Sequence, residues 1–214
     1  MADYDDKNVR PAMQEIATTA DGRDITRGYL DPLAIQPVTD PVLKIRGNGD
    51  YRIYSEILRD DQVSSCFGQR RLAVIGKEFA VDPGGKTKSD KAAAEFLFEQ
   101  LNHIGWDRVT NKMLFGVLYG FAVSEPMWAR DGRFITLDKL LVRDRRRFGF
   151  DGKGLLRLKT FSSPEGELLP PRKFWSFATG ADHDDEPYGL GLGHALYWPA
   201  FFKRNGLRYW LIFL

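Results

Sequence analysis

Cysteine is almost absent from this sequence. Cys66 is the only one among 214 residues, so no disulfide can form within the chain. A lone thiol suits a reducing compartment such as the cytoplasm and excludes a small secreted scaffold held by disulfides. The opening residues MADYDDKNVR are acidic and polar where the apolar core of a secretory signal would begin, so we expect no such signal.

A strong excess of charge of one sign is also lacking. The formal net charge is +2, well short of the basic balance expected of a protein whose main work is neutralising phosphates. The small net charge therefore argues against a protein whose main role is to bind DNA tightly. With 43% hydrophobic and 28% charged residues, the chain is long enough for one sizeable core, or for a core with a smaller lobe.

Long apolar runs are missing as well. The most apolar stretch, LRYWLIFL at residues 207–214, is far too short to cross a bilayer, so we expect no membrane partner. A helix or strand seldom stops on such a run without a cap or a surface to bury it. We therefore expect the sequence to be a fragment of a longer chain.

The first half of the sequence predicts an arm followed by helices. Residues 1–48 are rich in Asp, Pro, Gly and Thr without lasting periodicity, which predicts an extended N-terminal arm that adds little to the core. Apolar spacing predicts helices over residues 50–71, from an N-cap at Ser89 to residue 104, and over residues 107–121. Between the first two, LAVIGKEFAV predicts a short strand that ends in the turn Asp-Pro-Gly-Gly.

The second half predicts hairpins and a final helix. MWARDGRFI predicts a hairpin with Asp131 and Gly132 in a type I′ turn, and RFGFDGKGLLRLKTF predicts another with its turn at residues 151–154. KFWSF, at residues 173–177, predicts a third strand. A helix is expected from Leu192, with Pro199 either kinking it or starting a second one. The predicted fold class of residues 49–214 is α+β, with helices packed on an antiparallel hairpin sheet.

Residues 80–87, AVDPGGKT, fit a relaxed phosphate-loop pattern and raise the question of nucleotide hydrolysis. Ala80 stands where the pattern has glycine, and Pro83 lacks an N–H group that would have to face a phosphate. A phosphate loop also follows a buried parallel strand, whereas the predicted sheet is antiparallel. A turn that leads into a capped helix is the favoured interpretation, with an NTPase that uses residues 80–87 as the alternative.

Two charged clusters allow a binding function. The run LVRDRRRF, at residues 141–148, predicts either a solvated strand edge guarded by charge or contacts with nucleic acid. Its arginines are Arg143, Arg145, Arg146 and Arg147. The loop ADHDDEPYG predicts an acidic surface, with a metal-dependent enzyme as the alternative. The candidate metal ligands are Asp182, His183, Asp184, Asp185 and Glu186.

No catalytic set and no cofactor are predicted. The glycines of YGLGLGHAL fit the dinucleotide fingerprint poorly, because its last glycine would fall on His194, and they are expected to shape the entry to a helix. None of the three histidines, His103, His183 and His194, is next to a plausible Ser or Cys nucleophile in the sequence. A triad formed by residues distant in the sequence stays open, since spatial proximity cannot be read from the sequence.

Five segments, in order, carry a family resemblance over residues 40–214. They read DPVLKIRG, then ILRDDQVSSCFGQRRLAVIGKEFAVDPGG, then KMLFGVLYGFAVSEPMW, then LDKLLVRDRRRFGFD, and last LPPRKFWSFATGADHDDEPYGLGLGHALYWPAFFKRNGLRYWLIFL. Together they resemble the Mu-like family of tailed-phage portal proteins, and the last block is the most specific. The resemblance implies a non-enzymatic subunit of a homo-oligomeric ring, usually of twelve copies, at one capsid vertex of the virion.

The resemblance also implies partners and a place in the portal. In such rings double-stranded DNA passes through the channel without sequence specificity, the packaging ATPase (large terminase) docks outside, and capsid and head-completion proteins make further contacts. Assembly would occur in the cytoplasm of the bacterial host. The sequence is similar to an N-terminal arm and a peripheral wing, with the stem, clip and channel helix expected after Leu214. AVDPGGKT would then be a wing turn. The arginine run would lie in the wing sheet, where contacts with another subunit or with the capsid are alternatives to contacts with DNA.

The C-terminal part has more aromatic residues than one amphipathic helix face requires. A head-to-tail contact that closes into a ring is one explanation, and an ordinary core completed by later residues is the other. The candidate subunit-interface residues are Tyr197, Trp198, Phe201, Phe202, Tyr209 and Trp210.

Overall fold

The computed structural model describes Glu15, Ala17, Thr18 and residues 34–214. The predicted α+β class is confirmed, with helices grouped around two small antiparallel sheets. The helices are α1 (Pro41–Arg46), α2 (Arg52–Ile57), α3 (Asp61–Ile75), α4 (Lys88–Ile104), α5 (Trp106–Met113), α6 (Phe115–Tyr119) and α7 (Gly193–Phe213). The strands are β1 (Phe121–Asp131), β2 (Phe134–Arg143), β3 (Phe148–Phe150), β4 (Leu156–Leu158), β5 (Glu167–Leu168) and β6 (Trp175–Ala178).

Helix α1 joins the predicted arm to the core. The Asp40 carboxylate caps it by accepting from the N–H groups of Val42 and Leu43, and it also accepts from the Tyr54 hydroxyl of α2. Both Val42 and Leu43 are buried in the main core. The expectation that residues 1–48 add little to the core is therefore wrong for their described part. Most of residues 1–33 lie outside the described residues, so the extended arm stays a prediction.

The helix predicted over residues 50–71 and the strand predicted after it are both corrected. Two helices replace the single one, because Asp60 interrupts the run and caps α3 by accepting from the N–H groups of Gln62 and Val63. Residues 72–75 continue α3, and residues 77–83 have no regular structure. An isolated strand leaves its backbone groups unpaired, whereas a helix pairs them internally, so LAVI extends the helix.

The N-cap of helix α4 lies two residues before the predicted one. Thr87, and not Ser89, is its N-cap: the Thr87 hydroxyl accepts from the Asp90 N–H, and the Asp90 carboxylate accepts from the Thr87 N–H. This reciprocal capping box satisfies two backbone donors, which a cap at Ser89 would not do as well. The helix predicted over residues 107–121 is divided at Leu114 and ends before Gly120, whose φ of 103° an L side chain rarely adopts.

The first sheet has the strand order β2-β1-β6, and all neighbours are antiparallel. The predicted first hairpin is confirmed, but its turn lies one residue later: Asp131 pairs with Phe134, which leaves Gly132 and Arg133 at the centre. Only Gly132 of these two has positive φ, so the type I′ assignment is wrong. The third predicted strand is confirmed as β6.

The second sheet has the order β3-β4-β5, and the turn predicted at residues 151–154 connects its first two strands. The buried Asp151 carboxylate shapes this turn by accepting from the N–H groups of Lys153 and Leu155. It also forms an ion pair with Arg157 of β4 at 2.7 Å. Residue Ile35 forms a bridge with Asp151, so the chain before α1 lies along the edge of this sheet.

Strand β1 separates two hydrophobic clusters. Phe121 and Val123 lie in the main core with residues of α1, α2 and β3, whereas Ala122 lies in a second cluster with Val109 and Met113 of α5. Alternate side chains of a strand point to opposite faces, which explains the division. Helices α4 and α5 contact β2, so they cover that side of the first sheet.

Helix α7 is one continuous helix that contains Pro199. Its first residue, Gly193, lies against the ring of Tyr54, and a Cβ there would be 2.5 Å from that ring. The helix therefore begins in close contact with α2. Among the residues that the structure describes, no helix combines the length and apolar character needed to cross a membrane.

Candidate subunit-contact surface and arginine cluster

The first half of α7 is anchored to the helices near the N-terminus. The Lys203 ammonium lies 2.8 Å from the Asp60 carboxylate and 3.0 Å from that of Asp61. The hydrogen bond from Lys203 lowers the pKa of both carboxyl groups below the usual aspartate value, and the same contacts raise the pKa of Lys203. Next to it, the Arg204 guanidinium donates to the Glu56 backbone carbonyl at 2.9 Å.

Beyond these anchors, α7 is exposed on all sides. Residues 207–214, which we call the α7 free end, are all exposed, and they include only one charged residue, Arg208. Trp210 is 65% exposed and Phe213 is 90% exposed. An exposed apolar surface of this size is unusual on a folded protein and is a candidate for a contact surface.

An aromatic ladder lies along the first half of α7, before the anchors. The rings of Tyr197 and Phe201 stack at 6.0 Å, and those of Trp198 and Phe202 stack at 5.9 Å. Each pair is four residues apart and therefore lies along one face of the helix. Tyr197 packs against the main core, so it belongs to the interior more than to an interface. The other predicted interface residues are exposed, namely Trp198, Phe201, Phe202, Tyr209 and Trp210.

The predicted arginine run does not form one surface. Arg143 forms an ion pair with Glu125 across the first hairpin at 2.7 Å. The other three form a 3₁₀ turn, Arg145–Arg147, which Asp144 caps through the Arg146 N–H. The Arg146 side chain returns to the same carboxylate at 2.6 Å. Arg147 is exposed and forms no ion pair with any residue that the structure describes.

Arg145 is packed inward, unlike its neighbours. Its guanidinium lies 3.9 Å above the ring of Tyr119 and donates to the backbone carbonyl of Phe121 at 2.8 Å. Burial lowers the pKa of Arg145, because the charged form loses contact with water. Sequence reasoning grouped Arg145 with solvent-facing arginines, and it missed Arg52, which approaches the same place from α2. No sequence signal connects residues so distant along the chain.

Residues 80–87 do not have the structural setting of a phosphate loop. Residues 84–87 form a bend before α4, residues 77–83 contain no strand, and both sheets among the described residues are antiparallel. The Thr87 hydroxyl accepts from the Asp90 N–H as a helix cap. AVDPGGKT is therefore a turn followed by a capped helix, as the favoured interpretation predicted.

The acidic loop also lacks the features of a metal site. No group of three or more His, Cys, Asp or Glu side chains among the described residues could hold a metal ion. Asp182, His183, Asp184 and Asp185 are exposed, and the Glu186 carboxylate accepts from the Tyr188 N–H. The following glycines allow close backbone packing, since a Cβ on Gly191 would lie 2.3 Å from the Gly120 nitrogen. They shape the entry to α7, as predicted.

Comparison with known proteins identifies a family. The family model described as "Portal protein of Mu bacteriophage" matches residues 51–214. The match begins immediately before α2 and includes both sheets and all of α7. No curated protein matches the chain.

Proposed function

Because the chain belongs to the family of Mu bacteriophage portal proteins, we propose that it is a subunit of the ring through which DNA enters and leaves the phage capsid. The subunit acts as a structural part of the capsid vertex. In this proposal the packaging ATPase docks on the assembled ring during packaging, and head-completion proteins bind there afterwards. The hydrolysis of ATP belongs to that motor and not to this chain.

The exposed α7 surface is the observation that supports the ring most directly. A ring of more than two copies needs contacts in which two different surfaces of the subunit meet, and each subunit must present both. The aromatic residues of α7 supply a surface rich in Trp and Tyr, the residue types that dominate the energetics of protein interfaces. We therefore assign Trp198, Phe201, Phe202, Tyr209 and Trp210 to the contact with a neighbouring subunit.

The charge of the chain fits a conduit for DNA. A channel must let the duplex slide, and many tight phosphate contacts would hold it in place. The net charge of +2 is consistent with weak, sequence-independent contact. In this proposal residues 1–48 form the arm, residues 49–214 form the wing, and the stem, clip and channel helix follow residue 214.

Negative-stain electron microscopy of the full-length gene product tests the proposal. We expect end-on views of rings with a central hole and about twelvefold symmetry. Size-exclusion chromatography with light scattering should give a mass that agrees with the counted symmetry. Compact monomers or dimers at every salt and protein concentration tried would overturn the proposal.

A further inference from the structure

Three arginines from distant parts of the sequence converge on one cavity. The cavity has a volume of about 380 Å³ and lies between α2, α6 and the 3₁₀ turn. Its lining includes Arg52, Arg145 and Arg146, together with the hydroxyl-bearing side chains of Ser55 and Tyr119. The two hydroxyl oxygens are 3.1 Å apart. We call this site the arginine cavity.

Positive charge exceeds negative charge around the arginine cavity. Asp50 pairs with Arg52, and Asp144 pairs with Arg146, each at 2.6 Å. Arg145 has no carboxylate partner among the described residues, since its hydrogen bonds go to backbone carbonyls. An adjoining cavity of about 740 Å³ shares Tyr51 and Arg146 with this one. It adds two more cations, Lys44 and Lys159.

Burial makes the excess charge significant. Moving a cation out of water costs free energy unless an anion or good hydrogen bonds replace the lost hydration. The carbonyl of Phe121 and the ring of Tyr119 supply part of this compensation for Arg145, but neither carries a net charge. A negatively charged ligand in the cavity would supply the rest.

The chemistry of the donors favours phosphate. A guanidinium presents several N–H groups in one plane and binds phosphate or carboxylate oxygens in pairs. Asp50 and Asp144 already accept from Arg52 and Arg146, so a ligand would meet Arg145 and the remaining N–H groups of the other two guanidiniums. Inorganic phosphate has more oxygens and a higher charge than a carboxylate, and the successive phosphodiesters of a nucleic-acid backbone offer charged oxygens over a longer span. We propose that the arginine cavity binds a phosphate group, supplied either by inorganic phosphate or by the backbone of a nucleic acid. This inference does not depend on ring formation.

Thermal unfolding of the full-length protein tests phosphate binding. Sodium phosphate should raise the melting temperature saturably when sodium chloride keeps the ionic strength constant, because a ligand that binds only the folded state stabilises it. Arg52→Gln and Arg146→Gln should each weaken the fitted phosphate affinity at least about tenfold, since each removes charge-assisted hydrogen bonds. Arg147→Gln is the matched control, because Arg147 neighbours Arg146 in the sequence but lines neither cavity.

Fluorescence anisotropy with a labelled DNA duplex identifies the source of the phosphate. Binding of the duplex that weakens in Arg52→Gln and Arg146→Gln, but not in Arg147→Gln, would assign the site to the nucleic-acid backbone. Phosphate stabilisation with the same variant pattern, and no effect of these variants on duplex binding, would assign it to free phosphate. The proposal is wrong if neither ligand binds, or if Arg147→Gln weakens binding as much as Arg146→Gln.

Discussion

Asp151 is a carboxylate with no exposure to water, held in the turn between β3 and β4. It accepts hydrogen bonds from Lys153, Leu155 and Arg157. Arg157 is also buried, so each member of the pair depends on the other for compensation of its charge. The hairpin is therefore held by a specific buried ion pair as well as by apolar contacts.

Asp151→Asn should destabilise the protein by about 3 kcal/mol, because the substitution keeps the shape of the side chain but leaves the Arg157 charge buried without a counter-charge. Denaturant unfolding followed by circular dichroism measures the change. Asp138→Asn is the control, since Asp138 is paired with Lys139 on the exposed surface. Equal stability of Asp151→Asn and the wild type would show that the buried pair does not hold the hairpin.

The beginning of α4 depends on a single cap. Thr87→Ala should cost about 1 kcal/mol of stability, because the hydroxyl that accepts from the Asp90 N–H is lost. Ser89→Ala is the matched control, since Ser89 lies inside the helix and should change the free energy of unfolding by a few tenths of a kcal/mol at most. Urea unfolding of both variants compares them directly. A larger effect of Ser89→Ala would restore the cap that the sequence pattern predicted.

The ion pairs of Lys203 predict a pH-dependent attachment of α7. The pKa values of Asp60 and Asp61 are lowered in the folded protein, so the stabilisation is complete above the ordinary aspartate pKa of about 3.9 and is lost as the pH falls through the lowered values. The stability difference between the wild type and Lys203→Met should therefore stay constant from pH 7 down to about pH 4 and shrink as the pH falls further. A difference that stays constant below about pH 4 as well would show that Lys203 acts through packing alone.

The pattern of apolar residues was enough to predict α7 and the hairpins. The strands and turns of the hairpins have strong local sequence signals. The same pattern did not predict the structure of residues 72–75, because LAVI suits both a strand and a helix. These residues continue α3, where their backbone groups are paired within the helix. The exposed aromatic residues of α7 could be predicted in the same way. The arginine cavity could not, since Arg52 and Arg145 meet only through the packing of α2 against α6 and the 3₁₀ turn.

The assembled ring should depend on the α7 surface more than on exposed aromatic residues elsewhere. Trp210→Ser should reduce the fraction of full-length protein found in rings, because interface tryptophans often contribute about 2 kcal/mol or more to binding. Phe161→Ser is the control, since Phe161 is exposed in the loop between β4 and β5. Light scattering and electron microscopy measure assembly, and circular dichroism checks folding. Normal rings from Trp210→Ser would remove α7 from the proposed interface.

Strand β1 lies between the two hydrophobic clusters and contributes to both, with Phe121 and Val123 on one side and Ala122 on the other. Neither cluster can lose this strand without exposing the interior of the other. If the pairing of β1 slipped by one residue, the side chains that face one cluster would face the other. The packing of both clusters therefore fixes the register of β1. The helices near the N-terminus and those that cover the first sheet are thus coupled thermodynamically. Heat should melt them in one cooperative transition, as if the two clusters were a single core.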